Sequence, residues 1–216
     1  MAMKALIVQG GFPGHQPKET ADIMAEALRK RGFEVEMSET LDAFKDTQKL
    51  AQLDLIVPHW TMGEIDKEQL NGLLRAVEKG VSVAGIHGGM GDAFRKQCQF
   101  QLMAGGQFVA HPGGGNVTYA VRMTGEKSPI TEGLKDFSTT SEQYYLHVDP
   151  GNRVLATTNF GQVVMPVAWT RKHGKGHVYY CSLGHNAAHL AQPEVLELIL
   201  RGFVWAAQQT AKAKQA

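Results

Sequence analysis

The chain has 216 residues, 43% of them hydrophobic, and 22 Lys and Arg nearly cancel 21 Asp and Glu to leave a net charge of +1. That length suits one domain with a core large enough to fold without staples, and basic residues scattered along the chain exclude nucleic acid as the main partner. Cys98 and Cys181 are too few for a disulfide framework, residues 1–9 lack the n-region and h-region of a secretory signal, and the longest apolar runs, at 5–8 and 81–86, fall far short of the roughly 20 residues that cross a bilayer. No membrane partner is expected, and a cytoplasmic home is.

Residues 4–9 (KALIVQ) form a short apolar run ahead of Gly10 and Gly11, the pattern of a central strand buried on both faces. Residues 20–31 then place Ile23, Met24, Ala27 and Leu28 on one helical stripe, with Gly32 as the stop. Further strands are expected at 33–37 and 53–57, with a weak helix or irregular crossover at 41–50 between them. Leu70, Leu73, Leu74 and Val77 mark a helix over 66–79, closed by Gly80, and 81–86 is the next strand. Strands alternating with helices in this way predict a mostly parallel sheet wrapped by helices.

The second half is glycine-dense at 105–106 and 113–115. Shorter strands are expected at 116–123, 153–158, 163–170 and 177–181, a strand-rich elaboration of the same sheet. Val117, Tyr119, Val121 and Met123 alternate with polar or small residues, as in a half-exposed antiparallel strand. Pro193 opens a last helix. Residues 1–208 are read as one domain, and 209–216 as a polar C-terminal tail that frays.

In an open α/β sheet, ligands bind outside the carboxyl ends of the parallel strands. His15 follows the first strand, His59 (in PHW) the third, His87 (in GIHGG) the fourth, and His185 (in SLGHN) the strand at 177–181. Strand-end histidines often do no more than cap or hydrogen-bond a loop, but four in one topological layer point to a shared pocket. His87 carries the sharpest local signal. An apolar strand runs straight into His87-Gly88-Gly89 and a helix-like segment containing Ala93 and Phe94, the geometry of a nucleophile elbow with an imidazole at its tip. A helix N-terminus there favours the neutral ring, which suits a general base or a metal ligand.

The GIHGG elbow, the GGQFVAHP segment ending in His111-Pro112, the SEQYY segment and PVAWTRKHGKGHVYYCSLGH, in that order, resemble the trehalose-utilisation (ThuA-like) family over nearly the whole chain. The resemblance implies a flavodoxin-like three-layer sandwich similar to the class I glutamine amidotransferases. His87 stands where those enzymes carry the elbow cysteine, and His185 falls near their late histidine. The glutaminase triad is therefore absent, and Cys98 and Cys181 are read as buried, inert thiols. The resemblance also implies a small-molecule sugar substrate, a disaccharide or a 3-keto-glycoside, and a lyase or hydrolase that uses histidine acid–base chemistry. His87 or His185 would be the base, and His111 or Glu142 the acid or a ligand.

His15, His59, Trp60, Tyr144 and Asn186 are assigned to substrate binding, although tryptophans such as Trp60 and Trp169 are more often core. Gly113 to Gly115 lacks the GxxxxGK[ST] pattern of a phosphate cradle and reads as a flexible loop. A divalent metal such as zinc would suit several imidazoles with a carboxylate, drawn from His59, His87, His111 and His185, yet there is no HxxxH or HExxH on one helical face: His173 and His177 fall on a turn and strand, and His185 and His189, four apart, on a turn entering a short helix. Nothing marks a second acid, so an ordinary glycoside hydrolase with paired carboxylates is disfavoured. The competing reading is a non-catalytic sugar-binding or regulatory module on the same fold, and a homo-oligomer is compatible with either.

Overall fold

The computed structural model describes residues 2–215; Met1 and Ala216 lie outside the described residues. Strands β1 (Lys4–Gly11), β2 (Glu34–Ser38), β3 (Leu55–Thr61) and β4 (Ser82–Ile86) alternate with helices α1 (Pro17–Lys30), α2 (Thr47–Leu50) and α3 (Lys67–Glu78). The elbow at His87 opens α4 (His87–Gly91), followed by α5 (Cys98–Ala104) and strands β5 (Gly106–Ala110), β6 (Val117–Met123), β7 (Phe137–Ser141), β8 (Tyr145–Val148), β9 (Arg153–Phe160), β10 (Val163–His173) and β11 (Gly176–Cys181). A short α6 (Ala187–Leu190) and the long α7 (Pro193–Gln215) complete the chain.

The main sheet has nine strands in the order β2-β1-β3-β4-β11-β10-β9-β6-β7. The first five are parallel to their neighbours, and β10, β9, β6 and β7 extend the sheet as antiparallel strands. Strands β5 and β8 form a separate antiparallel pair. Period-two alternation sends the two faces of each buried strand to different cores. Ala5 and Ile7 pack with Met24 and Leu28 of α1 and Leu198, Ile199 and Phe203 of α7. Leu6 and Val8 pack with Leu70, Leu73 and Val77 of α3 and Phe100 and Met103 of α5. This layering and the strand order are those of a mixed α/β fold compatible with the flavodoxin-like arrangement.

Local signals account for the helix boundaries. Pro17 opens α1 and Gly32, with φ +83°, follows its end. Asp66 caps α3 in a reciprocal box with Gln69. The 41–50 crossover is weakly helical as expected, a 3₁₀ turn, Leu41–Phe44, followed by the single-turn α2. Elsewhere the structure departs from the sequence reading. His59 and Trp60 lie inside β3 rather than beyond it, and Gly114–Asn116 forms a 3₁₀ turn.

The segment read as a frayed tail continues α7 to Gln215. Thr210 there is buried, accepts the Ser82 N–H at 2.8 Å, and lies 2.8 Å from Ser82 Oγ. Lys214 Nζ bonds Asp54 Oδ1 at 3.0 Å and the Leu53 carbonyl at 2.9 Å. Composition marked these residues as polar, but their anchoring partners lie more than a hundred residues away in sequence.

Candidate active site

The elbow at His87 is a strained turn. Ile86 is extended, whereas His87 has φ +42°, which an L side chain adopts only when the surroundings hold it there. The helix it opens has five residues, so Ala93 and Phe94 lie outside it, Ala93 bridging to Met62 and Phe94 with φ +48°. Small residues are needed because of close approaches: a Cβ on Gly88 would stand 2.8 Å from His15 Cε1 and Thr61 Cγ2. The turn therefore packs α4 on β3 and sets His87 beside His15 of the turn after β1, and the Tyr180 hydroxyl donates to the His87 carbonyl at 3.0 Å.

His87 is 1% exposed. Its Nδ1 lies 2.9 Å from the Ser182 carbonyl, which only accepts, so Nδ1 carries the proton and Nε2 turns its lone pair toward the crevice. There Nε2 meets Glu142 Oε2 at 3.1 Å and His185 Nδ1 at 3.2 Å. His185 Nδ1 is also 3.2 Å from Glu142 Oε2. His15 closes the group, with Nδ1 3.0 Å from Thr61 Oγ1 and Nε2 3.9 Å from Glu142 Oε2. One ligand atom from each of His15, His87, Glu142 and His185 lies within 4.8 Å of the others, so this cluster could hold a metal ion.

Burial pushes His15 down to about 3, assisted by His87 and His185. Burial likewise lowers His87 against the opposing pull of Glu142 and the Ser182 carbonyl. For Glu142, burial acts upward, but contacts with His185 and His87 outweigh it and hold the carboxyl well below the usual carboxylate range.

Tyr144, buried, stacks on His87 with ring centroids 4.0 Å apart, and Phe108 packs against Tyr144 at 4.5 Å. His111 stacks on Phe108 at the mouth. Its side chain is 41% exposed and its Nε2 is 3.8 Å from Glu142 Oε1. Phe12, exposed, meets the edge of His15 across the opening. The imidazoles and the one carboxylate of the cluster are thus bordered by the aromatic rings of Tyr144, Phe108 and Phe12.

Of the residues assigned from sequence, His87, His185, Glu142 and His15 converge, with Tyr144 and His111 bordering them. His59 does not join them. It is buried beneath the elbow, 2.7 Å from Thr20 Oγ1, with Nδ1 lacking any partner. Trp60 lies against Gly10 and Gly63, where an added Cβ would collide with its ring. Trp169 is core, its indole donating to the Ala104 carbonyl at 2.9 Å.

Asn186 caps α6, its Oδ1 accepting the His189 N–H at 2.9 Å. Cys98 is exposed on α5 rather than buried, whereas Cys181 is buried in β11 and burial pushes its thiol up to about 12. Neither reaches the cluster.

Sequence reasoning gave no site role to His189 or Ser182. His189 Nδ1 accepts the backbone N–H of His185 at 3.2 Å and lies 3.0 Å from Ser141 Oγ, while Nε2 is 2.9 Å from Thr139 Oγ1. It thereby ties the loop carrying His185 to the end of β7, which Glu142 directly follows. The spacing of four between His185 and His189 was visible, but it signals a positioning contact here and not a shared ligand set.

Fold and site together define an α/β protein whose histidines and one carboxylate meet at the carboxyl ends of parallel strands, where this architecture binds its ligands. The chain belongs to the trehalose utilisation family, ThuA, whose model matches residues 4–206. A ThuA-like protein from Parabacteroides merdae ATCC 43184 superposes with a TM-score of 0.80 at 17% identity, covering 96% of this chain and 90% of that one. A cytoplasmic protein from Salmonella typhimurium LT2 gives 0.69 at 15% identity, covering 97% and 99%. A GMP synthase subunit from Thermoplasma acidophilum gives 0.59 at 16% identity, covering 100% and 99%. At these identities the likeness is one of fold. No curated protein matches the chain in sequence.

Proposed function

We propose that this protein is a cytoplasmic carbohydrate-metabolism enzyme acting on a disaccharide or 3-keto-glycoside, by elimination or hydrolysis, at the His87 centre. The observation that carries this reading is the convergence of His87, His185, His15 and Glu142 in one cluster bordered by Phe12, Phe108 and Tyr144. Membership of the trehalose utilisation family supports a sugar as substrate, and aromatic faces suit the apolar face of a pyranose. A keto group acidifies the neighbouring C–H, so the cluster supplies the base that removes this proton or activates water. His111, the exposed imidazole at the mouth, protonates the departing glycosidic oxygen.

The likeness to amidotransferases is then one of scaffold, with an imidazole at the elbow and both thiols elsewhere. The test is turnover of a panel of disaccharides and their 3-keto derivatives followed by NMR. Conversion of a 3-keto-disaccharide that falls about a hundredfold or more in both His111→Asn and Glu142→Gln is the expected result. Tight sugar binding without conversion across the whole panel would replace the enzyme by a sugar-binding module on the same fold.

A further inference from the structure

Three atoms at the floor of the cleft stand in mutual contact: His87 Nε2, His185 Nδ1 and Glu142 Oε2, separated by 3.1, 3.2 and 3.2 Å. Hydrogen bonds cannot satisfy all three edges of this triangle with neutral rings. The His87 proton is committed to the Ser182 carbonyl through Nδ1, so one proton, on His185 Nδ1, is left to serve the group. It can point at His87 Nε2 and at Glu142 Oε2, but the edge between those two then sets lone pair against lone pair. A second proton on His87 would place a positive ring, 1% exposed, against two further imidazoles. A cation among the three atoms meets every lone pair at once.

The spacing agrees with that. Ligand atoms about 2.0–2.1 Å from a tetrahedral zinc ion are about 3.3–3.4 Å from one another, close to the 3.1–3.2 Å of the triangle. His15 Nε2, 3.9 Å from Glu142 Oε2, approaches as the fourth donor. The outer contacts are also those of a metal site: His87 holds a backbone carbonyl and His15 a threonine hydroxyl through the ring nitrogen facing away from the cluster.

We infer that His15, His87, His185 and Glu142 form a mononuclear site for a first-row divalent metal of the zinc type, open toward the cleft at His111. Three imidazole nitrogens with one carboxylate oxygen select this class over calcium or magnesium, which take all-oxygen shells. The assignment deepens the functional reading by giving its base a physical form, a water or sugar hydroxyl that would be activated as a fifth ligand of the metal, and it shares that reading's site. It also moves the ligand set away from His59 and His111.

The test uses the full-length, tag-free chain, stripped with a chelator and titrated with Co²⁺ and Zn²⁺. About one equivalent should bind per chain, Co²⁺ with visible d–d absorption, and Zn²⁺ should raise the melting temperature. Glu142→Gln and His185→Asn should weaken binding by about tenfold or more, whereas His59→Gln and His111→Asn should retain it. Circular dichroism confirms the fold of each variant.

Substoichiometric binding, or binding that survives Glu142→Gln, overturns the site, as does loss of binding in His59→Gln or His111→Asn with the fold intact. Stoichiometric metal without sugar turnover leaves the site standing and removes the functional reading. Turnover indifferent to chelation, with no metal bound, does the reverse.

Discussion

His59 offers a direct measure of what burial beneath the elbow costs in protons. Its Nε2–H donates to Thr20 Oγ1, which spends its own proton on the Gln16 carbonyl at 2.7 Å. Nδ1 has no partner, so a proton there would be a buried charge without an acceptor, and burial lowers the ring from 6.5 to about 4. The unfolded chain therefore takes up this proton first as pH falls. The stability contributed by the neutral ring is complete above about 6.5 and is lost as pH drops toward about 4. At about 1.4 kcal/mol per pH unit, the gap is worth about 3 kcal/mol at most.

His59→Gln keeps an Nε2 donor for Thr20 but cannot titrate. Urea denaturation followed by circular dichroism at steps from pH 7.5 to 4, with chelator present, isolates the effect, because the acid sensitivity of His15 and His189 is common to both proteins and cancels. The variant should gain about 2–3 kcal/mol on the native chain across that range. Parallel profiles would mean that Nδ1 has an acceptor, such as a buried water, and that protonating His59 costs the folded protein nothing.

Gly88→Ala places a methyl against the rings and methyls of His15 and Thr61, both buried, and should cost about 1–3 kcal/mol by thermal melting with a loss of turnover; an unchanged melt would show that the elbow has room. Thr210→Val leaves the buried Ser82 N–H without its acceptor and should cost about 1–3 kcal/mol in urea, whereas a frayed C-terminal end predicts no change. Native protein should expose one reactive thiol, Cys98, to a disulfide reagent and two after unfolding. Two in the native state would contradict the burial of Cys181.

Helix and strand boundaries in the first half were legible because their causes are local. The 3.6 spacing of Leu70, Leu73, Leu74 and Val77 and the turn glycine Gly32 act within a few residues, so α1, α3, β1 and β4 appear nearly where periodicity places them. The elbow at His87 was legible for the same reason. Strands β5, β7 and β8 carry little alternation of their own, and GGQFVA and FSTTS become strands by pairing with distant partners.

What residues 87 and 185 shared was also visible, as the ends of parallel strands. Glu142 was reachable only through the family resemblance, and nothing local separated His15, which joins the centre, from His59, which does not. Glu142 arrives on the antiparallel extension, fifty-five residues beyond His87, and His189 steadies it through Ser141. His59 and His15 look alike in sequence, each at or near the end of a strand. Yet His59 lies inside β3 with its ring under Gly89, and His15 comes from the turn after β1 with its ring over Gly88. Short-range periodicity and small residues dictate the parallel core and the position of the elbow, so both can be read from the chain alone. Which imidazoles face one another depends instead on how segments far apart in the chain are stacked, and it emerges only in the folded molecule.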